Sequence, residues 1–342
     1  ADRATPWAYA ALGKLLFKRG KASEAQAIYE RAMIAFPMIP TLYDGLADVL
    51  VARGDARRAQ SVLEDAVRLS PLAVRRQRLL GKLAMGNEDF ESASKAYRHA
   101  VSQGQYSRFK DPESNLGLAQ ALISKNGDKG LDARARVEIN QTLGEVAKEY
   151  GNDQGLQLRT RLMKATSLQQ SDPETAAKLT AQALAVLQGM ESFLGADAAL
   201  AVAAQLQRLG QEEAGAGVLK NCAEIYGDDP AVMQGISRLT DDPAILGAGK
   251  AAADLNLQGV RSYKAGNLAE AQDFFRRALA LQSKNISIAL NMVQSLLPAK
   301  GVTPDAARLE ECRVCLNMIG MMPDTDPRYE RYQKLQSRAF GA

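Results

Sequence analysis

Two cysteines stand three residues apart in "CRVC", Cys312 and Cys315. Paired thiols at that spacing can hold a metal or carry a redox disulfide. A structural zinc site needs four ligands. The rest of the sequence offers one more cysteine, Cys222, and one histidine, His99, both far from the pair. A thioredoxin-type site needs a strand leading into the helix, and that context is missing. The pair therefore reads as one packed face of a helix. His99 has no serine, cysteine or carboxylate placed to work with it, so it reads as structural or surface. "GDDP" and "TDDP" read as helix starts, with Asp as cap and Pro in the first turn. "GAGKAAA", residues 247–253, follows a helix, not a strand, and makes no nucleotide fingerprint. No catalytic residue, metal ligand or cofactor-binding residue is expected, no cofactor is called for, and the chain does not read as an enzyme.

The second group that could do chemistry is basic. "VRRQRLLGKLA", residues 74–84, puts three arginines and a lysine into eleven residues. A nucleic-acid surface would interleave aromatics with such charge and carry a large domain excess. Residues 1–110 hold 18 Lys/Arg against 11 Asp/Glu, and the rest of the chain 25 against 28. That basic bias is modest, so no nucleic acid is expected as partner. The stretch reads better as the wall of a protein-binding groove.

The elements that position it repeat. Gly13, Ala47 and Gly81 are evenly spaced, and Ala25, Ala59 and Ala93 keep the same interval. So do Tyr29, Leu63 and Tyr97, and so do Ala32, Ala66 and Ala100. Pro37 and Pro71 close the first two units. Small residues at fixed places let two helices cross closely, and a large one between them fills the seam. This pattern resembles the tetratricopeptide repeat, whose two-helix unit spans about 34 residues. Gly20 and Gly54 suit the left-handed turn that ends a helix. Gly259, Ala271, Phe275 and Ala278 repeat the spacing late in the chain, and Ala203, Gly215, Leu219 and Cys222 follow it loosely. The expected fold is all-α: about 18 helices in stacked antiparallel pairs forming a right-handed superhelix, with stability spread along the array. The expected divisions are three regular units in 1–110, degenerate pairs in 111–240, a further unit with a following helix in 241–300, and capping helices in 301–342. "MIGMM", residues 318–322, reads as the cap of the last apolar face, with an adaptable contact surface as the rival.

In tetratricopeptide arrays the first helix of each unit lines the concave face. By that resemblance the groove holds Lys14, Phe17 and Lys18 in unit one and Asp44 and Asp48 in unit two. Unit three adds Arg75, Arg78 and Lys82, which share one helical face. Such a groove suits a protein or peptide with acidic groups. The rival reading pairs Asp44 and Asp48 with Arg75 and Arg78 inside the chain. Some relatives grip chaperone C-termini with a lysine–asparagine clamp; here the matching places are Lys14, Asp48 and Lys82, without the asparagines.

Composition agrees with these helices. Apolar residues make up 46% and aromatics 6%, with alanine and leucine dominant. No run of 18 apolar residues occurs, so no membrane span is expected. Three cysteines suit a reducing compartment, and the cytoplasm is the expected location. The chain opens "ADRATPWAYAALGK" without methionine, which reads as a fragment of a longer protein or a processed chain.

Residues 70–123 also resemble the tetratricopeptide region of bacterial response regulators that join it to a receiver domain. The Ser-Pro before the Arg-Arg-x-Arg helix and the turn from Lys110 to Glu113 into Gly117 and Leu118 carry the likeness. "LNLQGVRSYKAGNLAEAQDFFRRALAL" is similar to the closing unit of that family. The resemblance implies a non-enzymatic output arm in two-component signal transduction, its phosphorylated receiver domain outside this sequence, with pairing of two copies as one form of regulation. Two other readings stand beside it: a peptide-binding assembly or secretion adaptor, and a peptide-ligand sensor.

Overall fold

The computed structural model describes residues 5–126, 130–190, 192–247, 249–297, 305–320, 322–324 and 326–340. Among them every regular element is a helix. The first three hairpins are α1 (Pro6–Lys18) with α2 (Ala22–Ala35), α3 (Pro40–Ala52) with α4 (Ala56–Leu69), and α5 (Val74–Gly86) with α6 (Phe90–Gly104). Next come α7 (Pro112–Asn126), α8 (Ala133–Glu149), α9 (Gln154–Leu168) and α10 (Pro173–Gln188). They lead to α11 (Ala196–Arg208), α12 (Glu212–Tyr226) and the short α13 (Pro230–Ser237) and α14 (Pro243–Gly247). The chain ends with α15 (Lys250–Lys264), α16 (Leu268–Leu281), α17 (Ile286–Leu296), α18 (Ala306–Ile319) and α19 (Tyr329–Phe340). The architecture is an all-α solenoid of stacked antiparallel pairs, as the repeat predicts.

Local chemistry sets the helix starts. Thr5 caps α1 ahead of Pro6 in its first position. Asp55 and Asp89 accept the backbone N–H groups of Arg58 and Ser92 at 3.2 and 3.1 Å. In "GDDP" and "TDDP", Asp229 and Asp242 accept from Ala231 and Ala244, and Pro230 and Pro243 open α13 and α14. Gly20 and Gly54 turn the first two hairpins at φ 76° and 81°. In the third hairpin the equivalent residue is Glu88, at φ 62°.

Two compact units are present: Ala1–Leu156 with Gln170–Pro173, and Gln157–Gln169 with Glu174–Ala342. In the first, α1, α3, α5 and α7 alternate with α2, α4 and α6, each helix packing on the next in sequence. The seam between layers holds the repeated small residues: Ala25, Ala32, Ala59, Ala66, Ala93 and Ala100 are buried. The Tyr29 ring lies against Gly13 and Gly45, and the Tyr97 ring against Gly81 and Gly117. In the second unit α15, α17 and α19 form one layer, α15 packing on α17 and α17 on α19. Phe275 fills its seam against Gly259. Cys222, Cys312 and Cys315 are unpaired and buried in this core. Met322 of "MIGMM" is buried there too, while Met321 lies outside the described residues.

Candidate functional site

The groove residues expected from the sequence all lie on helices of one layer in the first unit. Lys14 stands exposed on α1, with Lys18 exposed one turn on, in the last turn of the helix. Phe17 is half-buried and packs on the core of this unit, so it builds the hairpin as well as edging the face. Asp44 and Asp48 follow on α3, and Arg75, Arg78 and Lys82 on α5.

The charges alternate in sign from helix to helix, and Asp48 stands at their centre. Burial and the like charge of Asp44 push its carboxyl above the usual range, against the pull of Arg75 and Lys14. One carboxylate thus feels cations from the helices on both sides of it.

The expected pairing of Asp44 and Asp48 with Arg75 and Arg78 holds only in part: Arg75 acts on Asp48, while Asp44 and Arg78 take other partners. Asp44 takes Arg76, its two oxygens each 2.7 Å from Nε and Nη2. Only 11% of the Arg76 side chain is exposed. Arg78 instead reaches Asp111 at 3.0 Å. Asp111 also accepts from the backbone N–H and hydroxyl of Ser114, both at 3.0 Å, and so holds the first turn of α7. The reason is rotational. Successive helical residues point in different directions around the axis, so Arg76 turns back to α3 while Arg78 turns on to α7. Arg76 lies off the i, i+3, i+7 face, and the sequence reading missed it. Its signal was its spacing from Asp44, the same spacing that separates Gly13 from Gly45.

Two of the four cations in "VRRQRLLGKLA" therefore tie neighbouring repeats together. The surface left on α1, α3 and α5 presents Lys14 and Arg75 beside Asp48, with Lys18 and Lys82 also exposed. Bidentate pairs of the same kind lace the second layer and the later repeats: Arg98 with Glu138, and Arg276 with Glu311. These exposed pairs are each worth about 0–1 kcal/mol.

His99 lies exposed on α6. Burial pushes the Cys315 thiol up to about 12 and the Cys312 thiol to about 11. Among the described residues no group of three or more His, Cys, Asp or Glu is placed to hold a metal ion. No helix among them is long and apolar enough to cross a membrane.

Among solved structures, a tetratricopeptide repeat protein from Parabacteroides merdae is similar over 85% of this chain and 98% of its own, at 10% identity and a TM-score of 0.47. Pseudomonas aeruginosa PilF is similar over 68% of this chain and 97% of its own, at 14% identity and a TM-score of 0.40. YrrB, described as a tetratricopeptide protein with an unusual peptide-binding site, is similar over 60% and 96%, at 14% identity and a TM-score of 0.36. No family model matches the chain, and no curated protein matches it.

Proposed function

We propose that the chain is a non-enzymatic tetratricopeptide-type scaffold that binds a protein or peptide segment on the α1–α3–α5 face. The observation that carries this reading is the set of charges around Asp48. Lys14 and Arg75 act on it from two different helices. Cations outnumber carboxylates on this face, which favours a partner with acidic side chains. The extended surface of stacked hairpins suits a peptide laid across several helices.

The finer reading is the output arm of a cytoplasmic two-component response regulator. The resemblance of residues 70–123 and of the late repeat supports it. Phosphorylation of a receiver domain would then act by opening the face or by pairing two copies.

The test is affinity capture from cell extract with the wild-type chain and with Lys14→Glu/Arg75→Glu. Both side chains are exposed, so helicity measured by circular dichroism should not change. Arg78 is left intact because its pair with Asp111 holds α7. A protein captured by the wild type and lost by the variant supports the face as the binding surface. Equal capture by both removes the face from consideration. The finer reading fails if the intact native polypeptide contains no receiver sequence.

A further inference from the structure

The turns that join the first repeats to one another are built alike. Ile39, Ala73 and Ser107 each donate a backbone N–H to the carbonyl three residues back, on Phe36, Ser70 and Gly104, at 3.3, 3.2 and 2.9 Å. The first two are pinned by the next helix in the same way: the Tyr43 hydroxyl donates to the Pro37 oxygen at 2.9 Å, and the Gln77 Nε2 to the Pro71 oxygen at 3.1 Å. The third residue of each turn is Met38, Leu72 or Tyr106. Such places are usually taken by Gly, Asn, Asp or Ser. Here each holds a large, mainly apolar side chain, exposed at 72, 71 and 92%. Ile34 and Phe109, close by on the chain, are exposed as well.

Charge follows the same division. The equivalent stretches 34–42, 68–76 and 102–110 hold Arg68, Arg75, Arg76, Arg108 and Lys110, and no Asp or Glu. Arg76 turns inward to Asp44, and the other four are exposed. Asp65 meets Arg68 and Glu149 meets Lys110, so part of that charge is answered within the chain. Arg108 lies over the Phe109 ring, 5.0 Å from its centroid. The turns at the other end of the same hairpins are of another kind. They read Arg19-Gly20-Lys21, Arg53-Gly54-Asp55 and Asn87-Glu88-Asp89, and none exposes a large apolar side chain. The apolar row stops after the third repeat, since the turn from α8 to α9 holds Gly151, Asn152 and Asp153. One edge of the first compact unit is thus apolar-tipped and basic, and the opposite edge carries both signs of charge.

We propose that this edge rests on an anionic membrane surface, with Met38, Leu72 and Tyr106 entering the headgroup layer. Neighbouring helices pack about 8–10 Å apart, so tips on successive repeats are separate points, not one shaped patch. A protein partner would need a matching pocket for each tip. A fluid interface yields to each one on its own. Methionine and leucine can sink to the acyl boundary, and tyrosine sits at headgroup level with its hydroxyl in water. Arg75 and Arg108 then face acidic headgroups, and edge stretches without carboxylates meet no repulsion there. Contact of this kind needs no spanning helix, and it is reversible. The proposal does not rest on the α1–α3–α5 face, although Arg75 borders both.

The test is flotation of the full chain with equimolar phosphatidylcholine–phosphatidylserine vesicles and with vesicles of phosphatidylcholine alone. The wild type should float with the mixed vesicles and much less with the neutral ones. Met38→Ser/Leu72→Ser/Tyr106→Ser should bind the mixed vesicles at least ~30-fold more weakly, because three side chains lose their transfer from water. All three are exposed, so helicity measured by circular dichroism should hold. If the triple variant does not fold, Leu72→Ser alone serves and should weaken binding about threefold. A reporter identifies the edge. In a Trp7→Phe background, Leu72→Trp emission should shift to the blue on mixed vesicles. Emission of Arg57→Trp, exposed in the first turn of α4 at the opposite edge, should not shift. The proposal is overturned by no flotation, by equal flotation with both vesicles or of wild type and variant, or by a blue shift at position 57. It also falls if, without lipid, the wild type runs as a dimer and the triple variant as a monomer, because the row then covers a second copy.

Discussion

The ring of Tyr29 occupies the space that a Cβ on Gly13 would need: its Cζ would lie 2.6 Å away. The chain repeats this relationship with a consistent exchange of sizes. Gly81 faces Tyr97, and Gly259 faces Phe275. At the same interval, Ala47 stands with Leu63 and Ala203 with Leu219. An aromatic in the seam goes with glycine, and leucine goes with alanine. Gly13→Ala should therefore lower stability by about 1–3 kcal/mol, the cost of overpacking. Gly13→Ala combined with Tyr29→Leu should recover most of that loss. Urea midpoints of the two variants decide the matter: equal loss in single and double variants would show that the pair does not share one volume.

Glu88 sits at φ 62°, where its counterparts Gly20 and Gly54 sit at 76° and 81°. A side chain there costs about 1–2 kcal/mol. Glycine relieves that strain but loses more chain entropy on folding, roughly 0.5–1 kcal/mol. Glu88→Gly should thus raise stability by a small net amount, roughly 0.5–1 kcal/mol, seen as a higher urea midpoint. Glu88→Ala should not raise it, because alanine keeps the Cβ. A destabilised Glu88→Gly would show that the turn is set by other contacts.

The repeat was legible because its signal is steric and periodic. The places of Gly13, Ala25, Tyr29 and Ala32 return at one fixed interval, and burial at Ala25, Tyr29 and Ala32 follows. Charge was less legible, because a long side chain chooses among neighbours that sequence intervals do not rank. Arg75, Arg76 and Arg78 are close in sequence, yet one acts on Asp48, one holds Asp44 and one holds Asp111. Arg331 was invisible for a related reason. It donates to the side-chain oxygens of Asn291 and Gln294, which only the packing of α17 and α19 brings beside it.

Cys312 and Cys315 carry the spacing of a reactive pair without its environment. Both thiols are buried, and burial raises them to about 11 and about 12. Only the thiolate reacts, so alkylation of the native chain at pH 8 should run at least ~100-fold slower than that of a free thiol. Unfolding in guanidinium should restore the full rate at all three cysteines. Rapid native labelling at Cys312 or Cys315, followed by mass spectrometry, would contradict the packed arrangement.

Asp326 should give the second unit an acid-side weakness. Its side chain is 3% exposed, and burial acts to raise its pKa. The side-chain and backbone hydrogen bonds of Arg328 outweigh that, and the carboxyl is held below its usual range. Arg328 also lies over the Tyr226 ring, 4.8 Å from its centroid, and donates to the Ser287 hydroxyl at 3.1 Å. The pair thus joins the segment before α19 to α12 and α17. A depressed carboxyl pKa stabilises the fold while the group is ionised. The contribution is complete above the unfolded pKa, about 3.9, and is lost as pH falls through the lower folded value. Asp326→Asn keeps the shape and removes the charge, leaving the half-buried Arg328 with only the weaker pull of Asp228, so it should cost about 3 kcal/mol at pH 7. The gap between wild type and variant should shrink as pH drops below about 4, because protonation turns the wild type into a near copy of the variant. Urea midpoints at pH 7, 5 and 3 measure it. A gap that stays constant down to pH 3 would mean that the Asp326 charge does not hold this segment.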